Sequence, residues 1–186
     1  KNDTVAVIGA GYMGLLFVGL AKLMRARFIS VVDYNTKRLK IAKSLGANYI
    51  FKSNKNIKEN FKKKILKPTN YLGYNVVVSA NGNLKSHALA CKLVAKMGFV
   101  NLFGGIPKNK NQNLKIDTNF IHYRQAKITG SFSANQSHLN QSFKIIKNKL
   151  IDFSKIVTSY ANYASFVEKI NLLKKQSEIK CIFKPD

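Results

Sequence analysis

The 186-residue sequence predicts a doubly wound α/β domain, a parallel sheet covered by helices on both faces. Three observations carry that prediction. Short β-branched runs (VAVIG, SVVD, VVVSA) recur along the chain and are apolar at nearly every position, which suits strands buried on both sides. Between them lie segments whose apolar residues fall at helical spacing. Strands and helices alternating at this length imply right-handed crossovers and therefore parallel strands.

In order, residues 4–9 (TVAVIG) form a strand ending in glycine. A helix follows from Tyr12 to about Arg25, with Met13, Leu16, Phe17, Leu20, Leu23 and Met24 on its apolar side. Residues 28–33 (FISVVD) are a second strand. The next helix turns Leu39, Ile41 and Ala42 toward a core and stops at Gly46, a suitable C-cap. Tyr49–Phe51 make a third strand, and Ile57–Leu66 a charged helix that ends before Pro68. The pattern repeats with a strand at 74–80, a helix at 84–98 and a strand at 99–105. Residues 106–119 are a polar connection rich in Asn and Lys, with a short strand at Leu114–Ile116. A strand at 126–132 precedes a helix near 136–149, a short strand near Ile156, a helix near 163–175 and a final strand at 179–183.

Composition narrows the function classes. Apolar content of 46% is ordinary for a globular protein. No run of about eighteen apolar residues suggests a membrane span. The nearest approach, residues 5–24, is interrupted by glycines and Lys22. No charged-then-apolar leader opens the chain, and Lys1 in place of an initiator Met predicts a fragment or processed product. Cys91 and Cys181 lie far apart, without C-x-x-C or His at metal-ligand spacing, so reduced thiols in a cytoplasmic protein are expected. The net charge of +24 raises nucleic acid as a partner. Yet the cations are 28 Lys against 4 Arg, spread through every segment alongside 20 Asn. Phosphate and base recognition recruits the guanidinium fork, so this distribution reads as a solvated surface.

The motif that carries chemistry is VAVIGAGYMG, a G-x-G-x-x-G formed by Gly9, Gly11 and Gly14. The spacing alone is weak evidence, but its context is complete. Gly9 ends a strand, Gly11 stands where a side chain would collide with a pyrophosphate, and Gly14 lies one turn into an amphipathic helix. The second strand ends in Asp33, nineteen residues after Gly14, near the spacing of an acid that accepts the hydroxyls of an adenosine ribose. Free N–H groups and the positive helix end would face the phosphates. A carboxylate at 33 repels a ribose 2′-phosphate and favours NAD over NADP, while Lys37 and Arg38 are placed to meet one, so NADP remains possible.

With VAVIGAGYMGLLFVGLAKL and VVDYNTKRLKIAKSLGANYIF, the later segments VVVSANGN, GFVNLFGGIPK, NFIHYRQAKITGSF and KLIDFSKIVTSY complete a pattern. The chain resembles the medium-chain dehydrogenase/reductase family, the zinc-type alcohol and polyol dehydrogenases, along essentially its whole length. NLFGGIP and IHYR…ITGSF look most like the sorbitol, threonine and sugar-phosphate dehydrogenase branch. The resemblance implies an NAD-binding Rossmann domain over 1–133. Over 134–186 it implies helices and a strand that in the family pack on an N-terminal catalytic barrel. It places the backbone of Tyr12 and Met13 at the pyrophosphate, with Met13 near the nicotinamide face. Asp33, with Arg38 beside it, falls at the adenosine ribose, and Phe103 and Gly104 border the nicotinamide. The main chain of Ser131 and Ser133 falls at the carboxamide, and Lys180 at the phosphates. Tyr12 departs from the small residue or proline usual in this turn, and Asn81 from the usual Thr before Gly82. His87, His122 and His138 have no carboxylate or cysteine partner at informative spacing and read as satisfied or solvent-facing.

By that resemblance, the parent enzyme moves hydride between a secondary alcohol, such as a sugar alcohol, and the nicotinamide, with zinc binding the alkoxide. The zinc ligands belong to the N-terminal barrel, and no zinc-ligand motif occurs in this sequence. Cofactor binding without turnover is therefore expected of the chain alone. A zinc-free quinone or enoyl reductase and a non-catalytic NAD-sensing module are the neighbouring readings, and a nucleic-acid binder rests on charge alone. The segment matching Leu114–Ile116 pairs in the family with its copy in another subunit, so a homodimer or homotetramer is expected, with no membrane or nucleic-acid partner.

Overall fold

The computed structural model describes residues 2–54, 59–175 and 177–185. Six strands, β1 (Thr4–Ile8), β2 (Phe28–Asp33), β3 (Tyr49–Lys52), β4 (Tyr74–Ser79), β5 (Val94–Leu102) and β6 (Lys127–Gly130), form one sheet. Its order is β3-β2-β1-β4-β5-β6, and every neighbouring pair is parallel. The crossovers are α1 (Tyr12–Leu23), α2 (Thr36–Ser44), α3 (Glu59–Leu66), α4 (Leu84–Leu93) and α5 (Thr118–Arg124). Then come α6 (Gln136–Lys147), β7 (Val157–Ala161), α7 (Phe166–Lys174) and β8 (Lys180–Phe183), with β7 and β8 paired as a separate parallel sheet. The doubly wound expectation holds. The order reverses between β1 and β4, the switch point at whose carboxyl ends open α/β sheets bind their ligands.

The two faces of the sheet carry two cores. Val7, Val31, Leu15, Val18, Leu39 and Ala42 bury one face under α1 and α2. Ala6, Ile8, Val77, Leu89, Leu93 and Val100 bury the other against α4. All five residues of β1 are buried, the apolar run Val5–Ile8 within the two cores and Thr4 bonded to the Asn75 side chain. The C-terminal segment is fastened to the first face, because Ile156 belongs to that core. Ile151 also lies so close to Gly19 that a Cβ there would come within 2.9 Å of its Cγ2.

Several expectations are corrected. The helix over 84–98 ends at Leu93, and β5 begins at Val94. The ladder pairs Tyr74 with Val94 and then Val76 with Phe99, so extra residues loop out, with Met97 left-handed (φ 57°). The cause is tertiary. Val94 turns extended (φ −71°, ψ 139°) and pairs with Tyr74 of β4, and Arg124 Nη1 donates to the carbonyls of Val94 (2.9 Å) and Leu72 (3.2 Å) at that corner. No strand forms at Leu114–Ile116 within the described chain; Leu114 packs on the second core and Ile116 is exposed. The helix α5, not expected from periodicity, begins where the Asp117 carboxylate accepts Phe120 N–H at 3.1 Å. The strand near Ile156 starts one residue later, leaving Ile156 buried in the preceding turn. The last helix starts at Phe166 because Asn162 and Ser165 form a reciprocal turn just before it. Residues 57 and 58 of the charged helix lie outside the described residues; from Glu59 onward it forms, with Ile65 buried and Lys63 and Lys64 exposed to solvent.

Gly14 sits where α1 crosses the end of β1, and a Cβ there would lie 1.8 Å from the Gly9 carbonyl oxygen. Gly14→Ala is expected to cost about 3 kcal/mol or more in denaturant unfolding, since backbone must move. Gly11→Ala, whose Cβ meets no atom within 4 Å, is expected to stay within about 1 kcal/mol of the parent. A second measurement concerns Tyr74, which is fully buried; its hydroxyl donates to Ile65 O (2.6 Å) and accepts from Ser30 Oγ (2.8 Å). Burial pushes this phenol up to about 12, opposed by the Ser30 bond. The unfolded chain therefore releases the proton near its ordinary value of 10.0 while the folded chain retains it, so stability falls as pH rises between those values. The parent's advantage over Tyr74→Phe should shrink by about 2 kcal/mol across that window.

Candidate functional site

The glycine-rich turn leaves β1 through Gly9, whose φ of +101° favours glycine and whose N–H donates to Val32 O at 2.8 Å. Ala10 N–H then donates to Asp33 Oδ2 at 2.6 Å, and Asn35 N–H donates to Asp33 Oδ1 at 2.7 Å. The buried Asp33 carboxylate is thus the fastener that holds the turn to the end of β2. Each of its oxygens keeps a further lone pair for a hydroxyl donor. Gly11 is the N-cap of α1 and supplies no side-chain cap, so the orphan N–H groups of the first turn find no side-chain acceptor.

The other expected residues are distributed around this turn. Asn35 caps α2 by accepting from Lys37 N and Arg38 N. Arg38 Nε is buried without a hydrogen-bond partner. Lys180, at the start of β8, places its ammonium 4.7 Å from the centre of the Tyr12 ring, a cation–π contact that brings the C-terminal sheet to the turn. Met13 is half-buried and packs against neither core. Phe103 meets Phe17 of α1 edge-to-face, with centroids 5.0 Å apart. Gly104 lies so close to Asn81 that a Cβ would fall 2.2 Å from the Asn81 carbonyl carbon. Asn81, the departure from Thr, donates through Nδ2 to Ile8 O (3.2 Å) and accepts Asn83 N–H (3.1 Å), tying the turn after β4 to the end of β1. Ser131 falls just beyond β6 rather than within a strand and trades hydrogen bonds with the Asn101 amide at 2.9 and 3.2 Å. Ser133 is exposed, left-handed (φ 62°) and bonded to none of these residues.

Two residues that sequence reasoning did not place in the site are Ser79 and His87. His87 Nδ1 lies 2.8 Å from Ser79 Oγ and Nε2 lies 2.9 Å from Gly104 O. Burial lowers the imidazole below its ordinary value, opposed by the bond to the Gly104 carbonyl. The expectation of a satisfied His is met here. The sequence signal was its place one turn before Ala90 and Cys91 on the buried side of α4. His138 completes the N-terminal cap of α6 with Asn135, and the exposed His122 meets Tyr123 edge-to-face.

Among the described residues no three His, Cys, Asp or Glu side chains gather in a way that could hold a metal ion. No helix of the described residues is long and apolar enough to cross a membrane. Cys91 is buried and Cys181 half-buried, both as free thiols.

The zinc-binding dehydrogenase family matches residues 13–148. Alcohol dehydrogenase 1 of Zea mays is 26% identical over 99% of this chain and 48% of its own length. The L-threonine 3-dehydrogenase of Chromobacterium violaceum is 24% identical over 89% of this chain and 46% of its own. The chain thus spans about half the length of the curated relatives it matches. Among solved structures, a protein of Sinorhizobium meliloti assigned as a zinc-binding dehydrogenase and bound to NADP superposes with a TM-score of 0.88. It is 21% identical, with 100% of this chain and 53% of that one covered. Together with the 3-2-1-4-5-6 sheet and the glycine turn at its switch point, the family match shows that this chain belongs to the zinc-binding dehydrogenases, of whose fold it carries the nucleotide-binding half.

Proposed function

We propose that the chain binds NAD at the switch point of the sheet and serves as the cofactor-holding half of an alcohol- or polyol-type dehydrogenase. The observation that carries this reading is Gly11. Gly9 and Gly14 are required by contacts within the protein, whereas a Cβ on Gly11 meets no protein atom within 4 Å. A glycine there, at an N-terminus with no side-chain cap, fits the close approach of an anionic pyrophosphate to first-turn N–H groups. The buried, unpartnered Arg38 Nε beside the cap of α2 fits the adenosine end in the same way.

In this reading Gly9, Gly11, Tyr12, Met13 and Gly14 form the pyrophosphate turn, and Lys180 adds a cation from the far side. The free lone pairs of Asp33 accept the ribose hydroxyls. That carboxylate favours NAD, although a relative of the same fold holds NADP. Phe103 and Gly104 form the wall against the nicotinamide, and the Ser131 and Ser133 backbone reaches its carboxamide. The bound dinucleotide would supply the hydride acceptor or donor; the chain's own residues bind and orient it. Relatives that bear alcohol and threonine dehydrogenase names support an alcohol as the substrate class, and the 3-hydroxyl of threonine is a secondary one. An exposed apolar stripe on and just after α6, Leu139, Phe143, Ile146 and Leu150, supports packing of 134–186 on a further catalytic domain, where zinc would bind. The position of β6 at the end of the sheet supports assembly as a homodimer or homotetramer.

Titration of the purified chain with NADH and NADPH tests the reading. Gly11→Val should fold like the parent and bind NADH at least about tenfold more weakly, because its side chain occupies the pyrophosphate position. Asp33→Ser should lower the preference for NADH over NADPH. A Gly11→Val protein that binds NADH as tightly as the parent would sink the proposal.

A further inference from the structure

Deepening that reading, and resting on it, we propose that His87 is the positioning residue of the nicotinamide wall. Its neutral imidazole, with the proton on Nε2, fixes the Phe103–Gly104 loop.

The loop has two backbone ties to the sheet, Phe103 N–H and Gly104 N–H, both donating to Ser79 O at 3.1 and 3.0 Å. Those two bonds share one acceptor and leave the peptide after Gly104 free to rotate. The third tie is His87 Nε2 at 2.9 Å from Gly104 O. A carbonyl only accepts, so Nε2 must carry the hydrogen. In the neutral ring Nδ1 is then an acceptor, and the fully buried Ser79 hydroxyl at 2.8 Å donates to it. Every polar atom of the bridge is therefore satisfied in one tautomer. His87 is only 5% exposed on the buried face of α4, among Leu89, Ala90 and Cys91.

The consequence for binding is directional. The Gly104 backbone already abuts Asn81, and Phe103 already abuts Phe17. With Gly104 O held by His87, the loop is pinned on three sides and presents one fixed surface. The two hydrogen bonds of the bridge join His87 to Ser79 and Gly104, and neither involves the glycine turn, Asp33 or Arg38. His87 should therefore act on the nicotinamide end of a dinucleotide and leave the adenosine and pyrophosphate end unchanged.

The test compares NADH with ADP-ribose, which lacks the nicotinamide, by titration of the parent chain and of His87→Leu and His87→Gln. His87→Leu should weaken NADH by about tenfold, the size of one or two buried hydrogen bonds, with ADP-ribose affinity unchanged. His87→Gln, which offers an amide donor and an acceptor, should restore most of the loss. Nitrogen-15 NMR of the parent should show a neutral His87 ring protonated on Nε2. Equal affinities of His87→Leu and the parent for NADH, an equal loss of both ligands, or a proton on Nδ1 would each overturn the proposal. A His87→Leu chain that fails to fold leaves the decision with His87→Gln and the NMR tautomer. If the parent binds neither ligand, the NAD reading itself fails, which is a different result from intact ADP-ribose binding with no His87 effect.

Discussion

The arrangement depends on one steric constraint, the near-contact of α1 with the end of β1 at Gly14 and Gly9. The carbonyl of Gly9 occupies the place that a Cβ on Gly14 would take. This lets the helix start directly over the strand, with its N-terminus beside the switch point between β1 and β4. The opposite faces of β1 belong to different cores, Val5 and Val7 on one side and Ala6 and Ile8 on the other. A displaced α1 would therefore disturb its own packing and the geometry of the switch point together.

Asp33 shows how little separates structure from function at this site. Its two oxygens hold Ala10 N–H and Asn35 N–H, so the acid that selects the cofactor in the proposed reading also shapes the turn that receives it. A charged acceptor of backbone N–H groups forms a stronger hydrogen bond than a neutral one. That stiffens the turn before any ligand arrives. Tyr12 and Lys180 join the same turn to β8, a residue pair separated by most of the sequence. The contact gives the unusual Tyr12 a physical role: its ring orients an ammonium that would otherwise be one more solvated lysine.

The apolar surface is distributed unevenly. The six-stranded sheet is well covered between α1, α2 and α4, while large apolar side chains from Phe132 to Phe183 remain open to solvent, Phe132 completely. A groove of about 220 Å³ between α1 and the strands β1, β4 and β5, lined by Phe17, Leu20, Met24, Val76 and Phe99, lies beside the N-terminal end of β1.

By itself the sequence determined the doubly wound class, most of the strands and helices, the glycine turn with its acid, and the family. Each rests on local information: apolar runs for buried strands, helical spacing for crossovers, and glycines where the backbone has no room or no side chain is tolerated. Tertiary structure alone decided the end of α4, because Val94 leaves the helix to pair with Tyr74 of β4, at a corner that Arg124, thirty residues away, also holds. It also decided that Leu114–Ile116 finds no ladder, since a strand needs a partner that a sequence pattern cannot supply. The double duty of Asp33 and the bridge from Ser79 through His87 to Gly104 were hidden for the same reason. Their bonds join residues from separate elements, and only the folded sheet brings those side chains within hydrogen-bonding distance.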